Sequence, residues 1–409
     1  MDARTAKSIH DNPEARGETP WGLLALLMAT TAIGPTSLNI LVPAVPELSH
    51  QFGTPATIMQ LTVSLFLIGL AGAQLVMGPL SDRYGRRPVM LGGISLNVFA
   101  SLMAIVMPTV ESVIAARILQ AIGASAGIVV ARAIIRDLFH RERAASVLGL
   151  VATVMVAAPT FGPLIGGLLE TFFFWQAIFI FTAVTSLAVL IWAAVTLPET
   201  RGFNAPAGQR EGFWRDLTWL AASPSFVGYV LVAAFGSSTF FVFLGGGPHV
   251  IVTLMGRSSA EYGVWFVISS VGYMAGNFAA SRLSMRHGIH ALIRWGIAIE
   301  AMGVTLAAAL AWAAPDYGPA IVFAPQLVIS LGNGLLLPGA IAGATSMRPH
   351  AAGTAAGIIG CTQMGLGAAL VQYAAATLAD AASALPMALL MVAMVAVLAV
   401  SFAVLVPRR

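Results

Sequence analysis

The sequence predicts an all-α membrane protein with twelve transmembrane helices arranged in two six-helix halves. Of its 409 residues, 58% are hydrophobic and only 9% are charged, and the mean hydropathy is +0.86. No water-soluble domain could hide that much apolar surface, whereas one membrane span requires about 20 predominantly apolar residues. Runs of that length recur from one end of the chain to the other, separated by short polar links.

Twelve of these runs are long enough to cross a bilayer. Pro or Gly interrupts the first, fourth, seventh and tenth runs, and their links to the neighbouring runs are short. The predicted spans are, in order, 21–45, 57–79, 87–107, 111–136, 144–169, 174–197, 224–250, 259–281, 290–313, 318–344, 351–377 and 384–406.

The N-terminus and the single cysteine set further limits. Residues 1–20 mix both charges with Pro and Gly, which predicts a short polar tail rather than a cleaved signal peptide. Cys361 stands alone, so an internal disulfide is excluded, and no neighbouring Cys or His could complete a metal cluster with it. We therefore expect neither a bound metal nor a cofactor.

Lysine and arginine residues predict the orientation. Eighteen of the 21 lie in alternate links, the opposite links contain only Arg257, and Arg117 and Arg132 fall within span 4. Because positive residues are retained on the cytoplasmic side, both termini are predicted to be cytoplasmic and the number of spans even. The eighteen residues are Arg4, Lys7, Arg16, Arg83, Arg86, Arg87, Arg136, Arg141, Arg143, Arg201, Arg210, Arg215, Arg282, Arg286, Arg294, Arg348, Arg408 and Arg409.

A polar stretch at residues 198–221 divides the chain near its midpoint, with six spans on each side. Paired halves are typical of membrane transporters. We expect a cytoplasmic tail at 1–20, an N-terminal six-helix bundle at 21–197, a cytoplasmic linker at 198–221 and a C-terminal six-helix bundle at 222–409.

The link between spans 2 and 3, "GPLSDRYGRRPVML", concentrates charge in a chain that has little of it. Orientation alone explains its basic residues, but it does not require Asp82, and the glycines predict a tight backbone. Asp82 could accept hydrogen bonds from N–H groups at a helix start, while Arg83 or Arg86 pairs with Asp137 or Glu142. The alternative is a purely topological role. The residues assigned to this link are Gly78, Asp82, Arg83, Gly85, Arg86 and Arg87.

Span 5 contains the sequence "APTFGPLIGGLL". Pro159 and Pro163 each remove a backbone donor and bend the helix. Gly162, Gly166 and Gly167 allow another helix to approach the backbone, either for gating or for tight packing alone.

Three of these stretches carry a family resemblance. "GPLSDRYGRRPVM" resembles the signature between helices 2 and 3 of the major facilitator superfamily, and "RILQAIGASAGIVVARAIIRDLF" is similar to the arginine-containing motif of helix 4 in its proton-coupled members. The span 5 sequence resembles the antiporter motif of its exporters. Together with "LVPAVPELSHQFG" after span 1, the match points to the bicyclomycin and chloramphenicol resistance type of drug:proton antiporter.

The resemblance implies that spans 1, 4, 7 and 10 line a central cavity. For Arg117 the alternative is a structural role against backbone carbonyls, and for Phe240 and Phe243 it is contact with lipid. The residues assigned to the cavity are Thr36, Asn39, Arg117, Gln120, Phe240, Phe243 and Asn333.

Span 1 departs from the family pattern. Where members often carry a membrane-embedded acid, "SLNILVPAVP" places Asn39, so span 1 contains no carboxylate. Glu300 in span 9 is the only carboxylate well inside a predicted span, and it is either a coupling acid or a structural partner of a neighbouring polar group. Arg117 of span 4 is then expected to face Asn39 where relatives have an acid. Its positive charge favours neutral or acidic substrates over organic cations.

The expected function is proton-coupled export of small amphiphilic compounds or drugs by alternating access, performed by a monomer in a bacterial cytoplasmic membrane. The alternative is an exporter or facilitator of an endogenous neutral or anionic metabolite. The spans contain no catalytic cluster of His, Asp and Glu, and no G-x-x-x-x-G-K-S/T loop occurs. An enzyme, direct use of ATP and nucleic-acid binding are therefore not expected.

Overall fold

The computed structural model describes residues 21–200, 213–314, 317–348 and 351–406. The predicted tail at 1–20 and half of the linker lie outside these residues, as do some side chains of the helices around 141–156 and 213–217, that of Glu142 included. All regular secondary structure in the described part is helical. The first eight helices are α1 (Trp21–Ile40), α2 (Val45–Gln51), α3 (Ala56–Met59), α4 (Leu61–Tyr84), α5 (Arg86–Val106), α6 (Val110–Leu138), α7 (Arg141–Phe172) and α8 (Gln176–Thr196). The other seven are α9 (Phe213–Ala222), α10 (Pro224–Gly236), α11 (Ser238–Pro248), α12 (Ser259–Ala313), α13 (Ala320–Ser346), α14 (Ala352–Leu378) and α15 (Leu385–Leu405).

Within the described residues, 10 helical segments are long and apolar enough to cross a membrane. One of them, α12, has 55 residues, which at a rise of 1.5 Å per residue is roughly 80 Å and too long for a single crossing. It changes direction at Gly288, where φ is 77°, between the predicted spans 259–281 and 290–313. The 32-residue helix α7 is not among the 10 but contains predicted span 5. The all-α membrane class is confirmed. The 10 segments become twelve spans only when α7 is added and the two arms of α12 are counted separately.

Prolines interrupt the helices of spans 1 and 7. After α1 ends at Ile40, a 3-10 turn at Val42–Ala44 that contains Pro43 leads into α2. Span 7 consists of α10 and α11, and Pro248 at the end of α11 precedes a π-helical turn, His249–Leu254. Because proline has no N–H, it breaks the hydrogen-bond pattern of an α-helix.

The chain packs as two compact units. Of the described residues, unit 1 comprises those within 1–37, 72–159 and 179–208, and unit 2 those within 38–71, 160–178 and 209–409. This grouping by contact does not follow the boundary at 198–221, which was drawn from composition, so the division into two six-helix halves stays a prediction.

Unit 1 has its core where α1, α5 and α6 pack together. A methyl group on Gly123 of α6 would lie 2.5 Å from the carbonyl oxygen of Gly93 on α5, so the two backbones are in contact. Gly127 of α6 approaches the carbonyl of Thr30 on α1 just as closely. Small residues permit such contact between membrane helices. This packing fixes α6, which carries Arg117 and Asp137.

Candidate functional site

A cluster of charged side chains surrounds the turn between α4 and α5 in unit 1. Gly85 forms the turn with a φ of 103°, a conformation that favours glycine. Arg86 then donates from Nε to Asp137 Oδ2 at 2.9 Å, and from Nη1 to Asp82 Oδ1 and Ser81 Oγ at 2.6 Å each. Of the pairings considered from the sequence, the structure forms Arg86 with Asp137.

Glu199 completes this cluster, and the sequence analysis did not single it out. Its carboxylate accepts hydrogen bonds from the backbone N–H of Arg86 at 2.9 Å and of Arg87 at 3.1 Å, at the N-terminus of α5. A methyl group on Gly85 would lie 2.6 Å from Glu199 Oε2. A carboxylate at a helix start interacts favourably with the helix dipole. The sequence signal that could have identified Glu199 is an acid directly after Pro198, the proline that follows span 6.

The remaining residues of the link have separate contacts. Arg87 Nη2 donates to the carbonyl of Ala194 near the end of α8 at 2.7 Å. The Arg83 guanidinium lies 5.3 Å from the ring centroid of Tyr84. The carbonyl of Gly78 accepts a hydrogen bond from Ser81 Oγ at 2.9 Å.

Arg117 is the largest fully buried side chain of the described residues, with 1% of its surface exposed. From Nη1 it donates to the carbonyl of Ser37 on α1 and to Oε1 of Gln120, both at 2.7 Å. Gln120 Nε2 donates in turn to Ser101 Oγ at 2.7 Å. The contact with a backbone carbonyl that the structural alternative for Arg117 predicts is therefore present, together with one to a side-chain amide.

Two further residues, which the sequence analysis missed, extend this polar network. Asn97 Nδ2 on α5 donates to the backbone carbonyl of Gln120 at 3.2 Å, and Ser186 Oγ on α8 donates to Asn97 Oδ1 at 3.0 Å. All these side chains are buried. Hydrogen bonds between neutral groups thus connect α5, α6 and α8 at the level of Arg117.

The two residues predicted from α1 fall in different units. Thr36 is half-buried in unit 1, whereas Asn39 is buried in unit 2. In unit 2, Asn39 packs on α7, since a methyl group on Gly162 would lie 2.9 Å from Asn39 Cβ.

The glycines of α7 lie at backbone contacts in unit 2. A methyl group on Gly166 would overlap the carbonyl of Ile40, and one on Gly167 would overlap the carbonyl of Ser259 at the start of α12. The carbonyl of Pro163 meets Gly263 in the same way, at 2.6 Å from a methyl group built there. The close approach expected of these glycines is present, and their role in gating is untested. Pro159 lies at the edge of unit 1.

Phe243 lies inside an aromatic cluster of unit 2, with 1% of its surface exposed. Its ring stacks on Tyr262 at 6.2 Å and on Phe266 at 6.1 Å, and meets the edge of Phe323 at 5.4 Å. Contact with lipid, the alternative for this residue, is therefore wrong. Phe240 is half-buried, with its edge towards Phe266 at 6.5 Å.

Asn333 lies on α13, also in unit 2, and is buried. Its Nδ2 donates to the carbonyl of Gly236, the last residue of α10, at 2.6 Å. Its Oδ1 has no hydrogen-bond partner among the described residues. Asn333 thus ties the break between α10 and α11 to α13 and retains one free acceptor.

Glu300 is 0% exposed, and neither of its carboxyl oxygens has a hydrogen-bond partner within the described chain. It lies where the second arm of α12 crosses α13. A methyl group on Gly332 of α13 would lie 2.6 Å from the carbonyl of Gly296 and 2.7 Å from Glu300 Cγ.

The comparisons with known proteins decide the family. The family model of the Major Facilitator Superfamily matches residues 27–370. The chain belongs to this superfamily. Its members are membrane transporters, and the match covers all the site residues described above.

Relatives in the superfamily have names that refer to drug resistance. The chain is 31% identical to the chloramphenicol resistance protein of Pseudomonas aeruginosa over 84% of this chain and 79% of that protein. It is 29% identical to multidrug resistance protein D of Escherichia coli, over 83% of this chain and 85% of that protein. A bicyclomycin resistance protein homolog of Haemophilus influenzae is 26% identical over 92% of this chain and 94% of its own length. The resemblance drawn from the motifs is confirmed.

Solved structures show the same superfamily fold. A D-xylose–proton symporter superimposes with a TM-score of 0.79 over 95% of this chain and 98% of its own, at 15% sequence identity. A bacterial homolog of the human lysosomal transporter Spinster gives a TM-score of 0.73 over 94% of this chain and 96% of its own, also at 15% identity. Identities this low support the fold alone.

Proposed function

We propose that this superfamily member exports small amphiphilic compounds from a bacterial cell by alternating access, in exchange for protons. Family membership and three relatives named for resistance to drugs support this proposal. It includes a monomer in the cytoplasmic membrane with both termini in the cytoplasm. The proposed substrate contacts are Thr36, Asn39, Arg117, Gln120, Phe240, Phe243 and Asn333.

Arg117 is the observation on which the substrate class rests. A guanidinium stays charged in proteins, so the field of this buried group is permanent. Two of its partners, Ser37 O and Gln120 Oε1, are neutral oxygens, and α1 contains no Asp or Glu. A positive field in a substrate cavity repels an organic cation and attracts an electronegative or anionic group. The proposed substrates are therefore neutral or acidic.

The proposed conformational switch has two parts. On unit 1, the cluster of Asp82, Arg86 and Asp137 at the α4–α5 turn is held in one state and released in another, since charge-assisted bonds made in a single conformation shift the equilibrium between states. On unit 2, α7 moves at its glycines. The residues proposed for the switch are Gly78, Asp82, Arg83, Gly85, Arg86, Arg87, Asp137, Glu142, Pro159, Gly162, Pro163, Gly166 and Gly167.

Transport of matched probes tests the substrate class. We would measure accumulation of chloramphenicol, which is neutral, and of tetraphenylphosphonium, a lipophilic cation, in cells with and without the protein. We expect export of chloramphenicol only, abolished by Arg117→Ala and retained by Arg132→Ala, a control on the exposed side of the same helix. Asn39→Asp should shift the preference towards the cation.

Two results would contradict this account. Normal chloramphenicol export by Arg117→Ala would remove Arg117 from the site, and an unchanged preference in Asn39→Asp would remove the charge argument. If chloramphenicol is not exported at all while a neutral or anionic metabolite leaves the cells faster when the protein is present, the alternative of a metabolite exporter or facilitator is favoured.

A further inference from the structure

The buried carboxyl group of Glu300 lies deep in its helix. It is 12 residues beyond Gly288 and 13 before Ala313, where α12 ends, so about 18 Å of helix separates it from either end of this arm. No described atom donates to or accepts from its two oxygens, and none of its surface is exposed. A structural role predicts a hydrogen-bond partner, and the described residues provide none.

The described elements packed on α12 offer no countercharge near Glu300. They are α13, α15, the turn Val42–Ala44, the π-helical turn His249–Leu254 and α7, which meets α12 at Ser259 and Gly263 in its first arm. Helices α13 and α15 contain no Asp, Glu, Lys, Arg or His, and His249 is the only titratable group of the two turns. On α12 itself, the charged residue nearest in sequence is the exposed Arg294, six positions away.

This environment suits the neutral acid and not the carboxylate. Burying an ionised carboxyl group without a counterion, a hydrogen bond or water costs several kcal/mol at the least. Burying the neutral acid costs less, because it leaves only one O–H donor and one acceptor without a hydrogen bond. Ionisation therefore requires that the packing around Glu300 change. At this crossing Gly296 and Gly332 bring the backbones of α12 and α13 into direct contact, with the side chains of Leu336 and Glu300 packed beside them.

We propose that Glu300 is the residue that binds and releases the coupling proton. The inference rests on the proposed proton antiport. In the packed state described here, Glu300 holds one proton. When α13 moves against α12, the carboxyl O–H breaks, the proton passes to cytoplasmic water, and the carboxylate is re-protonated from the outer side later in the cycle. If an ionisable group inside the membrane changes its protonation only when the packing opens, proton movement is coupled to the conformational change.

Reconstituted protein separates transport from coupling. Chloramphenicol counterflow requires substrate exchange without net proton movement, whereas a pH-sensitive dye trapped in the vesicles reports protons moved by net transport. We expect Glu300→Gln, which has the shape of the neutral acid, to retain counterflow and to lose substrate-driven proton movement. Glu261→Gln, at the partly exposed start of α12, serves as the control and should behave as wild type in both assays.

The possible outcomes distinguish a failure of this inference from a failure of the proposed proton antiport on which it rests. Proton movement that persists in Glu300→Gln overturns this inference alone. Wild-type counterflow with no proton movement overturns the proposed antiport and this inference with it. If Glu300→Gln fails to fold, Glu300→Asp decides: it keeps a titratable group in a different position, so the pH at which transport is half-maximal should shift. An unchanged pH profile in that variant overturns the inference.

Discussion

Two carboxylates hold Arg86, and neutralising each in turn should have unequal effects on stability. The side chain of Arg86 is 12% exposed, that of Asp137 is 17% exposed and that of Asp82 is 50% exposed. A hydrogen bond to a charged group in a largely buried site contributes about 1.5–3 kcal/mol, whereas a solvent-exposed ion pair contributes roughly 0.2–1 kcal/mol. We expect Asp137→Asn to lower the free energy of unfolding by the larger amount and Asp82→Asn by the smaller.

Unfolding in mixed micelles, followed by tryptophan fluorescence, measures both variants and the double variant. Because both acids share Arg86, their effects should not add, and the double variant should lose at least about 0.5 kcal/mol more than the sum. Asp380→Asn, which neutralises an exposed acid elsewhere, is the control. Equal losses for the two single variants, or a larger loss for Asp82→Asn, would refute this reasoning. If Asp82→Asn remains folded yet lowers transport turnover more than substrate affinity, Asp82 acts in another conformation of the cycle.

Three further predictions concern topology, capping and packing. A membrane-impermeant thiol reagent on intact cells should label a cysteine at Ser49 and not one at Gly208, in a background without other cysteines; labelling of Gly208 alone would reverse the orientation. Glu199→Ala removes both hydrogen bonds at the start of α5 and should cost about 1 kcal/mol, with Glu199→Gln costing less in the same unfolding assay. Gly127→Ala should cost about 1–3 kcal/mol, whereas Gly72→Ala, where a methyl group meets nothing within 4 Å, should be neutral or stabilising.

Hydropathy and charge predicted most of the fold because the bilayer imposes the same demand on every span. The helices lie where the apolar runs predicted them. Helix α9 was missed because nine of its ten residues fall in a stretch assigned as a polar linker. The two spans predicted within α12 meet at Gly288, whose backbone is not helical (φ 77°, ψ 163°), in the link that the sequence predicts between them.

The candidate site was predictable only where one local stretch carries the chemistry. The density of charge around Arg86 indicated its pairing with an acid just after span 4, and the structure forms the bond to Asp137. Glu199 and Asn97 escaped notice because each contacts residues more than 20 positions away. Nothing in the local sequence distinguishes a serine or asparagine in a polar network from one that bonds its own helix.

Arg117 and Glu300, both buried in the described chain, differ in a way that fits the roles proposed for them. Arg117 in unit 1 is bonded to a carbonyl and an amide, and it cannot lose its proton at physiological pH. Its permanent charge suits the proposed selection of substrates, but it cannot exchange protons with water. Glu300 in unit 2 has the opposite properties: its carboxyl group can ionise, and no hydrogen bond from the described residues stabilises either form. A group whose hydrogen bonds are already formed is not stabilised further when the conformation changes. A group without hydrogen bonds is stabilised by the water or partner that it meets in the new conformation. If the protein exchanges protons for substrate, Arg117 should therefore determine which compound is carried, and Glu300 should determine whether a proton moves with it.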